Sequence, residues 1–346
     1  MLDISQYRSL KTKEVGPSGS PARYLIPGSV CEEGTVTVEV YPQNCWSHIT
    51  PEKLLIEGWN DEHNDHDRVE DRLRTADISD SWMGIKTREQ LDRLLRVGDT
   101  ENPIQISQEL GQSIANLSKQ DKRRRKKWIN NEEGDLIVEA YANRDPEVFY
   151  AKRRTEGKKH LTNLIVATGG NCTVSAQTLK LRSAVYAKIV DELQRQGHNV
   201  ALYALDPIIA NDRVTTIIWE IKRHHEQMSI PAMQRDLGHP AVYRTAVFDI
   251  IGALPYDPGY GLGSTCTRLL TNVNGNYTER RKVVADVIKS QIGDPSVVLN
   301  LFNLNDNIDE EELTKILPRI AKTLNNLVTQ PKSSGVHFIN YNDKES

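Results

Sequence analysis

The hydrophobic and polar positions change rhythm along the chain. From residue 50 to 118 the apolar residues recur at helical spacing among charges: Glu52–Glu57, Val69–Thr75 and Thr87–Val97 each read as helical. Asn102–Ser118 continues the pattern through Ile106, Leu110, Ile114 and Leu117. Thr87, with Gln90 three residues on, forms a capping-box signature. Before these, Thr35–Tyr41 (TVTVEVY) alternates β-branched residues with others and predicts a short strand.

From His160 onward strands alternate with helices. Leu161–Thr168, Val200–Leu205, Val214–Ile221 and Ser296–Phe302 are apolar strand candidates. Ser175–Gln196 predicts a helix stopped by Gly197, with Leu179, Val185, Ile189, Val190 and Leu193 on or near one face. Further helices are predicted at Ile230–Leu254, bent near Gly238–Pro240, at Tyr277–Ile292 and at Asp309–Val328. Strands interleaved with long helices imply crossover units. The expected class is therefore α/β, a largely parallel sheet flanked by helices, with a mainly helical N-terminal region. The expected division is a loosely ordered 1–35, a mainly helical 36–118, a basic connector 119–159, an α/β domain 160–330 and a tail 331–346.

Composition narrows this. The chain has 346 residues, 38% hydrophobic and 26% charged, with a formal net charge of -3. Whole-chain charge argues neither for nor against nucleic acid, so local patches decide. Residues 1–27 carry no apolar stretch like a signal peptide, and no run of 18 apolar residues occurs. Four scattered cysteines make no disulfide framework. These features predict a soluble, cytoplasmic protein.

The basic run before Trp128, Gly134–Asp135, Arg144–Glu147 (RDPE), the block from Leu164 to Leu205, and the later Gly261–Gly263 turn together resemble an uncharacterised family of bacteriophage and actinobacterial proteins. Trp82, Gly84 and Arg96–Asp99 (RVGD) resemble that family's upstream segment. The resemblance covers about two thirds of the chain and implies fold and context, not chemistry. The same core is similar to von Willebrand factor A domains, which hold a divalent ion through an Asp-x-Ser-x-Ser loop after the first strand. Here the corresponding stretch is Thr168, Gly169, Gly170, Asn171 and Cys172, then Thr173 and Ser175. The aspartate is missing, and a hard cation without it loses its strongest ligand.

Four constellations carry possible chemistry. The first is the strand-to-helix loop containing Thr168, Gly169, Gly170, Asn171, Thr173 and Ser175. In parallel sheets ligands bind at such crossings, and a helix N-terminus offers free N–H groups. The competing reading is that Ser175 or Thr173 caps the helix while the glycines make the turn. The ligand reading requires the crossing to face solvent with unpaired amides. The second is the loop holding Gly261, Gly263, Ser264 and Thr265, which either completes that site or is a mobile connector. The third is Cys45 and His48 with His63 and His66, whose x₂ spacings suit zinc but whose acidic, Asn-rich setting reads as solvated loop. The fourth is Lys122, Arg123, Arg124, Arg125, Lys126 and Lys127 followed by Trp128, a patch that suits nucleic acid, although most such charge runs are solvated connectors and this one joins two regions of different composition.

No familiar catalytic set is evident. His224 and His225 follow a strand without an adjacent nucleophile. Trp219 and Tyr243 are expected to pack in or against the core. No cofactor is expected, with a divalent cation or zinc as the alternative. The leading expectation is a phage-related cytoplasmic interaction protein that binds a protein partner through its strand-end loops. A nucleic-acid-binding factor and an enzyme acting on a phosphate-bearing small molecule are the alternatives.

Overall fold

A computed structural model describes residues 14–15, 20–21, 29–41, 84–85, 87–99, 111–112, 114, 127–128, 135–136, 149–151, 161–170, 174–195, 198–210, 213–226, 230–243, 267–272, 275–303, 306–317 and 335–341. In chain order the strands are β1 (Glu14–Val15), β2 (Ser20–Pro21), β3 (Ser29–Glu33), β4 (Val36–Tyr41), β5 (Lys127–Trp128), β6 (Asp135–Leu136), β7 (Phe149–Ala151), β8 (Leu161–Ala167), β9 (Asn199–Ala210), β10 (Arg213–Lys222), β11 (Ser296–Asn300) and β12 (Val336–Asn340). The helices are α1 (Arg88–Val97), α2 (Ala176–Arg195), α3 (Ile230–Asp236), α4 (Pro240–Val242), α5 (Thr267–Thr271), α6 (Thr278–Gln291) and α7 (310–317).

The seven-stranded sheet runs β12-β11-β8-β9-β10-β4-β3. β12, β11, β8 and β9 are mutually parallel, β10 turns back against β9, β4 lies parallel to β10, and β3 closes the edge antiparallel to β4. This is an α/β fold. β9 and β10 are joined as a hairpin rather than by a crossover, because only residues 211–212 separate them, too few to carry a chain back to a parallel start. β1 and β2 pair antiparallel by themselves.

The sheet also takes strands from outside residues 160–330. β3 comes from the stretch expected to be loosely ordered, β4 from the N-terminal region and β12 from the expected tail. Val336–Asn340 (VHFIN) has three apolar residues, Val336, Phe338 and Ile339, too short a signal to separate it from a tail. Its pairing with β11 over the full length of both strands decides it.

Alternation along the strands sends side chains to two faces, and helices cover both. On one face Leu164, Val166, Leu202, Ala204, Ile217, Trp219 and Leu299 pack with Val185, Ile189 and Val190 of α2. On the other, Val36, Val38, Ile165, Leu205, Ile218 and Val298 pack with Val284, Val287 and Ile288 of α6. The predicted capping box on α1 is present. Thr87 Oγ1 accepts from the Gln90 N–H at 3.3 Å, and Gln90 Oε1 accepts from the Thr87 N–H at 3.1 Å. Arg235 of α3 donates to the Leu95 carbonyl at 2.9 Å, tying α1 to α3.

Residues Lys119–His160 form a separate compact unit. Its described part is a three-stranded antiparallel sheet in which β7 lies between β5 and β6. Among the described residues no helix is long and apolar enough to cross a membrane.

Candidate functional site

The strand order reverses at β8. The chain moves from β8 to β9 on one side and later to β11 on the other, and the carboxyl ends of β8 and β11 flank the reversal. In open α/β sheets that crevice is where ligands bind. The Thr168 N–H donates to the Leu205 carbonyl at 2.8 Å, and Thr168 Oγ1 donates to the same oxygen at 3.3 Å, so the pairing of β8 with β9 extends one residue past the strand. Gly169 follows at φ 100°, a backbone conformation that side chains disfavour. A Cβ on Gly169 would overlap Asp206 Oδ1 and lie 2.9 Å from Tyr243 Oη. The glycine is required because backbone meets a carboxyl group there.

Asp206 is fully buried in β9. Its Oδ2 accepts from Tyr243 Oη at 2.6 Å, while Oδ1 is buried without a hydrogen-bond partner among the described residues. Burial pushes its carboxyl up to about 7, against the opposing pull of the Tyr243 hydrogen bond. Sequence reading passed over this residue. The signal was there: an acid inside VALYALDPIIA, where a buried strand has no cheap place for a charge.

Arg182 of α2 gathers the neighbouring loops. Its Nη1 donates to the Gly169 carbonyl at 3.1 Å; its Nη2 donates to the carbonyls of Asn303 at 2.8 Å and Asp306 at 2.5 Å. The guanidinium also lies 5.2 Å from the Phe302 ring centroid. Burial lowers it to about 10, so it stays charged at neutral pH. Asn307 adds a second tie. Its Oδ1 accepts from the Ser175 N–H at 2.8 Å and from Thr178 Oγ1 at 3.1 Å. Ser175 Oγ accepts from the Thr178 N–H at 3.1 Å and so caps α2. The end of β8, the start of α2 and the segment after β11 are thus bonded into one unit.

Residues 49–325 match a family described as Domain of unknown function (DUF7192). The chain belongs to the DUF7192 family. The matched span contains Gly169, Arg182, Asp206, Tyr243 and Asn307, whereas β3, β4 and β12 lie outside it. No curated protein and no solved structure matches this DUF7192 chain.

The strand-end loop does not have the geometry the sequence implied. Thr168, Gly169 and Gly170 are buried, not solvent-facing, and the amides of Thr168 and Ser175 are already bonded. At Thr168 and Gly169 the cause is β9, which runs past the end of β8, accepts from the Thr168 amide at Leu205 and packs Asp206 against Gly169; at Ser175 the amide is taken by Asn307. Ser175 serves as the helix cap. Asn171 and Thr173 lie outside the described residues, as do Gly261, Gly263, Ser264 and Thr265 of the second loop. The same holds for Cys45, His48, His63, His66 and for Lys122, Arg123, Arg124, Arg125 and Lys126. Lys127 and Trp128 pair with Ala151 and Tyr150 in the small sheet. Among the described residues no group of three or more His, Cys, Asp or Glu could hold a metal ion. Burial, with the nearby Lys222 ammonium adding to it, lowers the pKa of His224. Trp219 is a core residue, donating to the Asp236 carbonyl at 3.2 Å; Tyr243 is buried but also holds Asp206.

Proposed function

We propose that this chain is a phage-related interaction protein of the bacterial cytoplasm, binding a protein partner through the strand-end loops of a degenerate von Willebrand A-like domain. The observation that supports the reading most is the Arg182 clamp. One buried guanidinium holds the carbonyls of Gly169, Asn303 and Asp306, on both sides of the strand-order reversal. The Gly169 turn is itself buried, so the part of this clamp open to a partner is the segment after β11, where Asp306 and Asn307 are exposed; residues held in this way lose little further entropy on binding, which favours recognition by a preformed surface. A strand order that reverses at β8, with a hairpin on one flank and parallel strands on the other, is compatible with the von Willebrand A comparison. The described donors do not suit that family's divalent ion. Ser175 Oγ is committed to the Thr178 N–H, and Asp206 is held toward its uncharged form by burial.

The test uses the full chain, since residues 160–330 alone would lack β3, β4 and β12. A tagged chain is cross-linked in expressing cells and the partner's cross-links are mapped. The expected result is one protein joined at residues 171–173 or 304–305 and lost in Thr173→Arg, with unchanged circular dichroism. Cross-links confined to other surfaces, or retention of nucleic acid only, would overturn the reading.

A further inference from the structure

Two buried acids share one row of the sheet. Asp206 of β9 pairs with Ile217 of β10, and Ile217 pairs in turn with Glu39 of β4. Residues directly opposite one another project to the same face, so both carboxyl groups lie on the side that carries Ile217, Tyr41 and Tyr243. Their backbones are two strand spacings apart, roughly 10 Å. Glu39 is 1% exposed and Asp206 0%. Each acid is held by one tyrosine hydroxyl, Tyr41 on Glu39 and Tyr243 on Asp206.

We propose that Asp206 and Glu39 form a proton-operated latch: while both acids are neutral, β4 and the Gly169 turn stay packed on the β9–β10 hairpin, and their ionisation in that dry row loosens both. In the neutral form each acid fits a dry sheet face with its tyrosine. In the ionised form two like charges occupy that face, and among the described residues neither carboxyl forms an ion pair. The titratable and charged groups around them on described elements are few. Tyr243 and Tyr41 donate hydrogen bonds, Glu32 of β3 adds a like charge near Glu39, and Arg182 of α2 is engaged one residue away on the Gly169 carbonyl. Ile217, between the two acids, offers no charge. Burial raises both carboxyls to about 7, Glu32 adding to the rise at Glu39 while the tyrosine hydrogen bonds oppose it. The latch therefore opens as pH rises through neutrality. The Gly169 turn yields because Asp206 Oδ1 lies against it without a hydrogen-bond partner among the described residues, and β4 yields because Glu39 is buried on the face where β4 packs beside Ile217 of β10.

The experiment is hydrogen exchange of the full chain between pH 5.5 and 8.5, corrected for the intrinsic pH dependence of exchange. Wild type, Asp206→Asn, Glu39→Gln and the double variant are compared. Linkage predicts that local opening rises roughly tenfold per acid between pH 6 and pH 8. The expected result is lost protection at residues 29–41 and 168–170 in wild type, a smaller loss in each single variant and a flat profile in the double variant. A flat wild-type profile, or an equal slope in the double variant, overturns the latch. The wild-type series needs no variant to fold and no partner to be present, so its outcome is independent of the partner reading above.

Discussion

Asn307 Oδ1 accepts a hydrogen bond from the backbone N–H of Ser175 at 2.8 Å, across 132 positions of sequence. The same oxygen accepts from Thr178 Oγ1, so a residue after β11 caps a helix that begins after β8. The relationship joins two strands that the sequence separates by an entire half-domain.

Replacing Asn307 by alanine removes an acceptor that serves two donors. The expected cost is about 1–2 kcal/mol, the usual scale for losing a cap and its hydrogen bonds. Asn307→Asp keeps the acceptor and adds a charge favourable to a helix N-terminus, so it should recover most of that loss. Urea unfolding of both variants checks this, and equal losses in Asp and Ala would refute it.

Arg182→Met leaves three loop carbonyls without their shared donor. Each unsatisfied buried acceptor costs about 1–3 kcal/mol, and relaxation makes the sum smaller than additive. A loss of at least about 3 kcal/mol is expected, with Arg182→Lys intermediate because an ammonium cannot span the same fork of acceptors. The readout is the denaturation midpoint at unchanged slope.

Gly169→Ala and Gly238→Ala separate strain from overlap. Both glycines have positive φ, 100° and 123°, but a Cβ at Gly238 meets nothing within 4 Å, whereas at Gly169 it meets Asp206 and Tyr243. Gly238→Ala should cost about 1–2 kcal/mol from backbone strain alone. Gly169→Ala should cost more, by a further ~1–3 kcal/mol typical of overpacking. Similar losses at the two positions would mean that the contact with Asp206 is not tight.

The pH dependence of stability has a definite sign. The folded carboxyls of Asp206 and Glu39 are raised to about 7, above their unfolded values near 4, so the folded state binds more protons between those limits. Their contribution is complete below about pH 4, declines as pH rises toward about 7 and is flat beyond. Asp206→Asn should therefore flatten the decline by about one proton and be relatively more stable at pH 8 than at pH 4. Chemical unfolding at several pH values measures it; a steeper decline in the variant would contradict the assignment.

Much of the fold was legible because local patterns report local structure. The cap of α1 depends only on Thr87 and Gln90, three residues apart, and it formed as expected. The apolar runs at β8, β10 and β11 and the periodicity of α2 and α6 likewise indicated element type and approximate bounds, whereas β9, expected at Val200–Leu205, runs on to Ala210. Of the proposed ligand loop, the sequence alone indicated the strand-to-helix crossing and offered Ser175 or Thr173 as the helix cap; the structure chose Ser175.

The tertiary structure decided everything that depends on residues far apart in sequence. Strand order brought β12 and β3 to the two edges of one sheet. The extension of β9 past β8 buried the Gly169 turn against Asp206. Register placed Glu39 in the row of Asp206, with more than 160 residues of chain between them. Periodicity carries which face a side chain takes within its own strand. It carries nothing about which other strand will lie beside it, because that choice is made by the summed burial of both faces.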